Sequence, residues 1–223
     1  MPGEKLREFL CDAVLLDMDG TLVDSTDCVI RQWRRWAERH GLPLERILSV
    51  SHGRLTLDTI RMVAPNLATT EEAEAFDREE VEDVDGIKAV NGALAFLGDL
   101  RDNQWAVVTS ASRELARVRL LAAGLPIPNV LITSEDVRAG KPDPEGYLAA
   151  AELLRAVPKR CLVMEDSIAG VKAARRAGMS VLGITTTFPS EQLNADACMA
   201  DFLSMGVDKE EAHHGIRILL NGA

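Results

Sequence analysis

Short apolar runs, each ending in a polar cluster and mostly separated from the next by a helical pattern, constrain this chain most. Ala13-Val14-Leu15-Leu16, Trp105-Ala106-Val107-Val108, Val130-Leu131-Ile132, Cys161-Leu162-Val163-Met164 and Val181-Leu182-Gly183-Ile184 recur in this way. Runs of that length without polar alternation suit strands buried on both faces, as in a parallel sheet. Between them, Ser112 is placed to cap RELARVRLLAA before Gly124, and Ser167 to cap IAGVKAARRA before Gly178. The alternation predicts an α/β fold, a doubly wound parallel sheet with right-handed crossovers.

Between residues 27 and 88 the alternation stops. Helical periodicity replaces it in CVIRQWRRWAERHG, in RLTLDTIRMVA and in the acidic TTEEAEAFDREEVEDV. The expected organisation is a core of residues 1–26 and 89–223 with a helical insert, 27–88, after the first strand. Trp33 and Trp36, three apart, are expected to share a helix face and fill the insert's own small core. The Glu-rich run from Glu71 to Asp85 reads as a solvated helix face. His213 and His214 are assigned to a helix end.

Charge narrows the partners. Against 35 acidic side chains stand 25 basic ones, and a net charge of −10 disfavours sequence-independent binding to nucleic acid or an anionic membrane. Cys11, Cys28, Cys161 and Cys198 form no close pair and read as reduced, partly buried thiols. No secretory signal is visible in MPGEKLREFLCDAVLL, and no apolar run is long enough to span a bilayer. The expectation is a soluble, cytoplasmic monomer that meets any anionic substrate with local positive charge.

In open α/β sheets, ligands bind beyond the carboxyl ends of the strands. Asp17 and Asp19 follow the first apolar run and Thr109-Ser110 the second. Gly140-Lys141-Pro142 lies beyond the third, and Glu165-Asp166-Ser167 ends the fourth. These segments, DMDGT, the Ser110 strand end, GKPDP and MEDS, resemble the four motifs of the haloacid dehalogenase superfamily of phosphotransferases, in order and over nearly the whole chain. The insert resembles that superfamily's type 1 cap. Its HGRLTLDTIRMVAPNLA is similar to the corresponding stretch of the sugar-phosphate and glycerol-phosphate phosphatases.

The chemistry also follows from residue types. Positions i and i+2 at a strand end project to one side, so Asp17 and Asp19 can face one reacting centre. Asp17 is the candidate nucleophile on a phosphate monoester, and Asp19 the acid that protonates the leaving oxygen and then takes a proton from water. Gly20 permits a sharp turn whose amides can bind phosphate oxygens. Two carboxylates beside a dianionic phosphate call for a hard divalent cation, and Mg2+ suits oxygen ligands. By resemblance its ligands are Asp17, the Asp19 main-chain carbonyl and Asp166, with Glu165 a further candidate. Lys141 supplies a point charge, and Ser110 with the neighbouring Ala111 binds the phosphoryl group.

His52, Gly53 and Arg54 match the part of the cap that approaches substrate in the resembling phosphatases. Those enzymes often carry Arg one residue later, where this chain has Leu55. Asp24 is expected to brace the turn into the insert. A calcium-binding loop counted from Asp17 needs Gly and Glu where Leu22 and Cys28 stand. A dehalogenase has no use for the acid Asp19, and a transport ATPase carries Lys where Met18 stands. A phosphosugar mutase of the β-phosphoglucomutase type is the nearest enzymatic alternative, but it has His at the position of Val29, which favours water as the acceptor. A catalytically silent scaffold would be expected to have lost Asp17 or Asp19.

Overall fold

The computed structural model describes residues 7–208 and 215–221, so His213 and His214 lie outside the described residues. β1 (Arg7–Cys11) precedes β2 (Ala13–Leu16), and a tight loop leads to β3 (Val23–Asp24). The insert is built from α1 (Thr26–His40), α2 (Leu44–Ser51), α3 (Thr56–Val63) and α4 (Thr70–Glu82). β4 (Lys88–Ala89) pairs antiparallel with β3, so the chain enters and leaves the insert through adjacent strands. There follow α5 (Ala93–Gly98), β5 (Trp105–Val108), α6 (Arg113–Ala122), β6 (Leu131–Ile132) and α7 (Glu145–Leu153). Next come β7 (Cys161–Glu165), α8 (Ile168–Arg176), β8 (Ser180–Ile184), α9 (Ser190–Leu193) and β9 (Ala197–Met199). β10 (Met205–Asp208) and β11 (Ile216–Leu220) complete the order.

Among the described residues, six strands form a parallel sheet in the order β6-β5-β2-β7-β8-β9. Period-2 projection explains why its strands are apolar throughout. Val14, Leu16, Trp105, Val107, Leu162 and Met164 pack into the core on one face, with α5 and α6. Ala13, Leu15, Ala106, Val108, Cys161 and Val163 pack into the core on the other, with α7 and α8. The caps form as the sequence predicts: the Ser112 hydroxyl accepts from Leu115 N at 3.2 Å, and the Ser167 hydroxyl from Gly170 N at 3.0 Å.

Several elements escape the sequence reading, among them the short strands β3 and β4 and the short helix α9. β1, β11 and β10 form a separate antiparallel sheet with β11 in the middle, β9 edges the parallel sheet, and α2 lies between the expected insert helices. The four cysteines are free thiols, three of them buried. Within the described residues no helix is long and apolar enough to cross a membrane.

The insert has its own apolar cluster around Trp33, Trp36, Ile47, Ile60 and Phe76. Trp33 meets Trp36 edge-on, with ring centroids 5.6 Å apart, as their spacing predicts. Trp36 is fully buried, and its Nε1 donates to Glu72 at 2.8 Å. Trp36→Ala is expected to cost about 3–5 kcal/mol in urea denaturation, the usual penalty for emptying an aromatic site. A loss under about 1 kcal/mol would mean that the cluster is not load-sharing with the rest of the fold.

The Glu71–Asp85 run is not wholly a solvated face. Glu80 is buried, and Asp77 accepts from the Thr56 hydroxyl at 2.7 Å. Ala73, Phe76 and Glu80 fall on one helical stripe, and that stripe turns inward.

Candidate active site

The strand order reverses about β2, which puts the residues after β2 at a topological switch point of the sheet. Asp17 continues the ladder by donating its N–H to Met164 O at 3.0 Å. The chain then folds back: Met18 O accepts from the N–H groups of both Leu22 and Val23 at 2.9 Å. Gly20 makes this turn at φ +84°, and a Cβ there would sit 2.0 Å from Asp166 Oδ2. No other residue allows the loop and Asp166 to approach so closely.

Asp17, Lys141, Glu165 and Asp166 are all buried together. The Lys141 ammonium donates to Asp17 Oδ1, to Glu165 Oε1 at 2.6 Å and to Val108 O at 3.1 Å, so its three protons have three acceptors. Burial alone would push its pKa down, but Asp17 and Glu165 hold it above the ordinary lysine value. Glu165 also accepts from the Tyr147 hydroxyl at 2.9 Å and from Ser167 N and Oγ at 2.8 and 2.9 Å. Asp166 accepts from Thr21 Oγ1 at 3.1 Å and from Thr187 Oγ1.

One ammonium does not neutralise three carboxylates. Burial raises the Asp17 pKa well above its ordinary value against the pull of Lys141, and burial with Glu165 nearby pushes Asp166 up to about 7. Oxygens of Asp17, Glu165 and Asp166 lie within 4.8 Å of one another, a hard-donor cluster able to hold a divalent metal. The excess of buried negative charge beside Lys141 fits that ion.

Asp19 is held differently. Its Oδ1 accepts from Ser25 Oγ at 2.6 Å and from Arg119 Nη1 at 3.0 Å. Arg119, 3% exposed, also donates through Nη2 to Glu80 Oε1 at 2.7 Å. A guanidinium from α6 thereby links Asp19 to the insert helix α4. Burial pushes the Glu80 carboxyl up to about 7 despite Arg119.

Above these groups lies a cavity of about 90 Å³, walled by Asp17, Asp19 and Asp166 below and by Trp33, Phe76 and residues 51–54 of the insert above. His52, Gly53 and Arg54 therefore reach the cavity, as does Val29. Burial lowers the His52 pKa, and its ring meets Phe188 edge-on at 5.6 Å. Trp33 fills the insert core and also walls the cavity, so it is not core alone.

Three expected phosphate contacts are already engaged. Ser110 Oγ donates to Gly53 O at 3.0 Å, which makes it a link between core and insert, and Ala111 N donates to Thr109 Oγ1 at 3.1 Å. Gly20 N donates to Val23 O at 2.7 Å, while Gly20 O accepts from Thr186 Oγ1. Asp24 accepts from Thr26 N at 3.3 Å and pairs with Lys88 at 3.3 Å, bracing the entry to α1.

Sequence reasoning missed Arg119, Glu80, Ser25, Thr187 and Tyr147. For Arg119 a signal existed: Leu115, Ala116, Arg119 and Leu120 fall on one buried stripe of α6.

The sequence is 41% identical to hexitol phosphatase A of Escherichia coli over 189 residues, 82% of this chain and 88% of that protein. It is 32% identical to glycerol-1-phosphate phosphohydrolase 2 of Saccharomyces cerevisiae, covering 84% and 80% of the two chains. The structure is similar to that of a hydrolase from Pseudomonas syringae, with a TM-score of 0.75 and 27% identity over 84% of this chain and 92% of that one. The model of the haloacid dehalogenase-like hydrolases matches residues 11–178, and the chain belongs to that family.

Proposed function

We propose that the protein is a Mg2+-dependent phosphatase of small phosphate monoesters, sugar or polyol phosphates, acting through an aspartyl-phosphate. The observation that carries this reading is Asp17, buried at the switch point, held by Lys141 and opening onto the cavity beside Asp19. The similarity to phosphatases of hexitol and glycerol phosphates supports the substrate class.

In the first step an Asp17 carboxylate oxygen attacks phosphorus, the bond from phosphorus to the ester oxygen breaks, and Asp19 gives that oxygen its proton. In the second, Asp19 takes a proton from water as the water oxygen attacks phosphorus, releasing phosphate and restoring Asp17. The bonds from Ser25 and Arg119 both fall on Asp19 Oδ1, which leaves Oδ2 for the proton. Arg119 is thus a positioning residue for Asp19. Lys141 fixes Asp17 and offsets charge on the transferring group.

Asp17, Asp166 and the Asp19 carbonyl would hold Mg2+, which supplies charge neutralisation for the phosphoryl oxygens. Four hydrogen bonds on the Glu165 carboxylate suit it to orienting Lys141 behind that set. We read residues 27–88 as a cap that opens for exchange and closes to exclude water, on a core of 1–26 and 89–223. The β3-β4 pair is its stem, and the Ser110–Gly53 and Arg119–Glu80 bonds hold it shut.

Val29 on the cavity wall favours hydrolysis over mutase chemistry, because that position carries no imidazole to handle a sugar hydroxyl's proton, and the His52 ring, also at the cavity, packs edge-on against Phe188. The test is an assay of hexitol, glycerol and hexose phosphates with Mg2+, scoring free phosphate against phosphosugar isomers. Phosphate release that falls at least ~100-fold with a chelator and returns with Mg2+ is expected. Isomer formation, or turnover indifferent to chelation, refutes the reading.

A further inference from the structure

Among the described residues, two buried side-chain polar atoms lack hydrogen-bond partners, and both belong to residues outside the four motifs. They are Ser51 Oγ, at the end of the insert helix α2, and Arg119 Nε, on the core helix α6. Their residues are 7% and 3% exposed, and both line the cavity that holds Asp17 and Asp19. Orphaned buried polar groups each cost free energy and persist where something else satisfies them.

We propose that Ser51 and Arg119 form a subsite that reads an uncharged hydroxyl on the leaving group of the substrate. This rests on the phosphatase reading above, and adds which residues recognise the alcohol portion. Nε–H can only donate, and a serine hydroxyl can donate and accept, so a substrate hydroxyl accepting from one and pairing with the other satisfies both. The Arg119 charge is already matched by Asp19 and Glu80, at 3.0 and 2.7 Å. A neutral oxygen therefore suits its remaining donor better than a second anionic group. Because Ser51 rides on the insert and Arg119 on the core, the subsite is complete only when the two are packed together, and a hydroxylated substrate favours that packed state.

The subsite has a cost in the ligand-free protein, and this gives a readout that a structural serine would not produce. Ser51→Ala removes an unsatisfied hydroxyl, so its Tm is expected to rise by about 2–4 °C. The same variant is expected to lose selectivity. The probes are glycerol 1-phosphate and propyl phosphate, which differ only in hydroxyls. The unsubstituted protein is expected to prefer the former by about 100-fold or more in kcat/KM, since a polar site left unpaired rejects the deoxy analogue. In Ser51→Ala that ratio is expected to fall about 5- to 10-fold. Arg119→Lys keeps a cation near Asp19 and Glu80 but has no Nε donor in the guanidinium plane, and it is expected to lower the ratio as well as kcat on both esters.

An unchanged ratio in Ser51→Ala, with a Tm that falls, overturns the proposal. So does equal use of the two esters by the unsubstituted protein. Calorimetric binding of both esters to Asp17→Asn with Mg2+ separates this failure from failure of the phosphatase reading. A binding preference for glycerol 1-phosphate that Ser51→Ala weakens supports the subsite even if neither ester is hydrolysed, and equal binding refutes it.

Discussion

Asp17→Asn is expected to lower kcat about 10⁴-fold, some 5.4 kcal/mol of barrier, while leaving the protein folded. The amide has the shape of the carboxylate but not its nucleophilicity, so no aspartyl-phosphate can form. The fold is expected to persist because Lys141 keeps Glu165 and the Val108 carbonyl, and because the substitution removes one of three crowded buried carboxylates. Steady-state phosphate release together with circular dichroism checks both halves. Turnover within tenfold of the parent in a folded variant would mean that another group attacks phosphorus, and the Asp17 assignment would fall.

Lys141→Met is expected to damage both rate and stability. In the metal-free protein, loss of the ammonium leaves Asp17, Glu165 and Asp166 buried together without their lysine partner, and removing one partner of a buried ion pair typically costs about 3–5 kcal/mol. The loss of a point charge beside the transferring group is expected to lower kcat about 10³-fold. The stability loss should depend on pH with a definite sign. Burial already holds Asp17 and Asp166 above their ordinary values. Such groups bind protons in the folded protein that they have released in the unfolded chain, so stability falls as pH rises from about 4 toward 7. Removing Lys141 steepens that fall, and the deficit of the variant is expected to be larger at pH 7 than at pH 5. Urea denaturation at both pH values tests this, and an equal deficit at the two would show that the lysine acts through packing alone.

The elements legible in the sequence are those whose local pattern and tertiary environment agree. β2, β5 and β7 are buried on both faces, so continuous apolar runs announced them, and the polar residues at their ends had to face the same edge of the sheet. Asp17, Glu165 and Asp166 were recoverable because strand ends bring them together, and Lys141, in the loop beyond β6, because GKPDP resembles a family motif. β1, β10 and β11 were not, because β1 and β11 pair across about two hundred residues and neither carries a local mark of its partner. Glu80 and Arg119 stayed hidden for another reason. Charged side chains in a helix are by default solvated, and only the phase of their neighbours, Phe76 for one and Leu115 and Leu120 for the other, placed them inward. Ser110 was found by its strand end, but its bond to Gly53 depends on where the insert sits, which no single stretch encodes.

The antiparallel sheet of β1 and β11 sets a clock on synthesis. Cys11 and Ile216 are register partners 205 positions apart. At ribosomal rates of roughly 5–20 residues per second, β1 waits on the order of 10–40 s for its partner to emerge. During that interval its edge is open to other nascent chains. The segment's exposed Glu8 works against such encounters, since a charge on an open strand edge discourages pairing with a stranger.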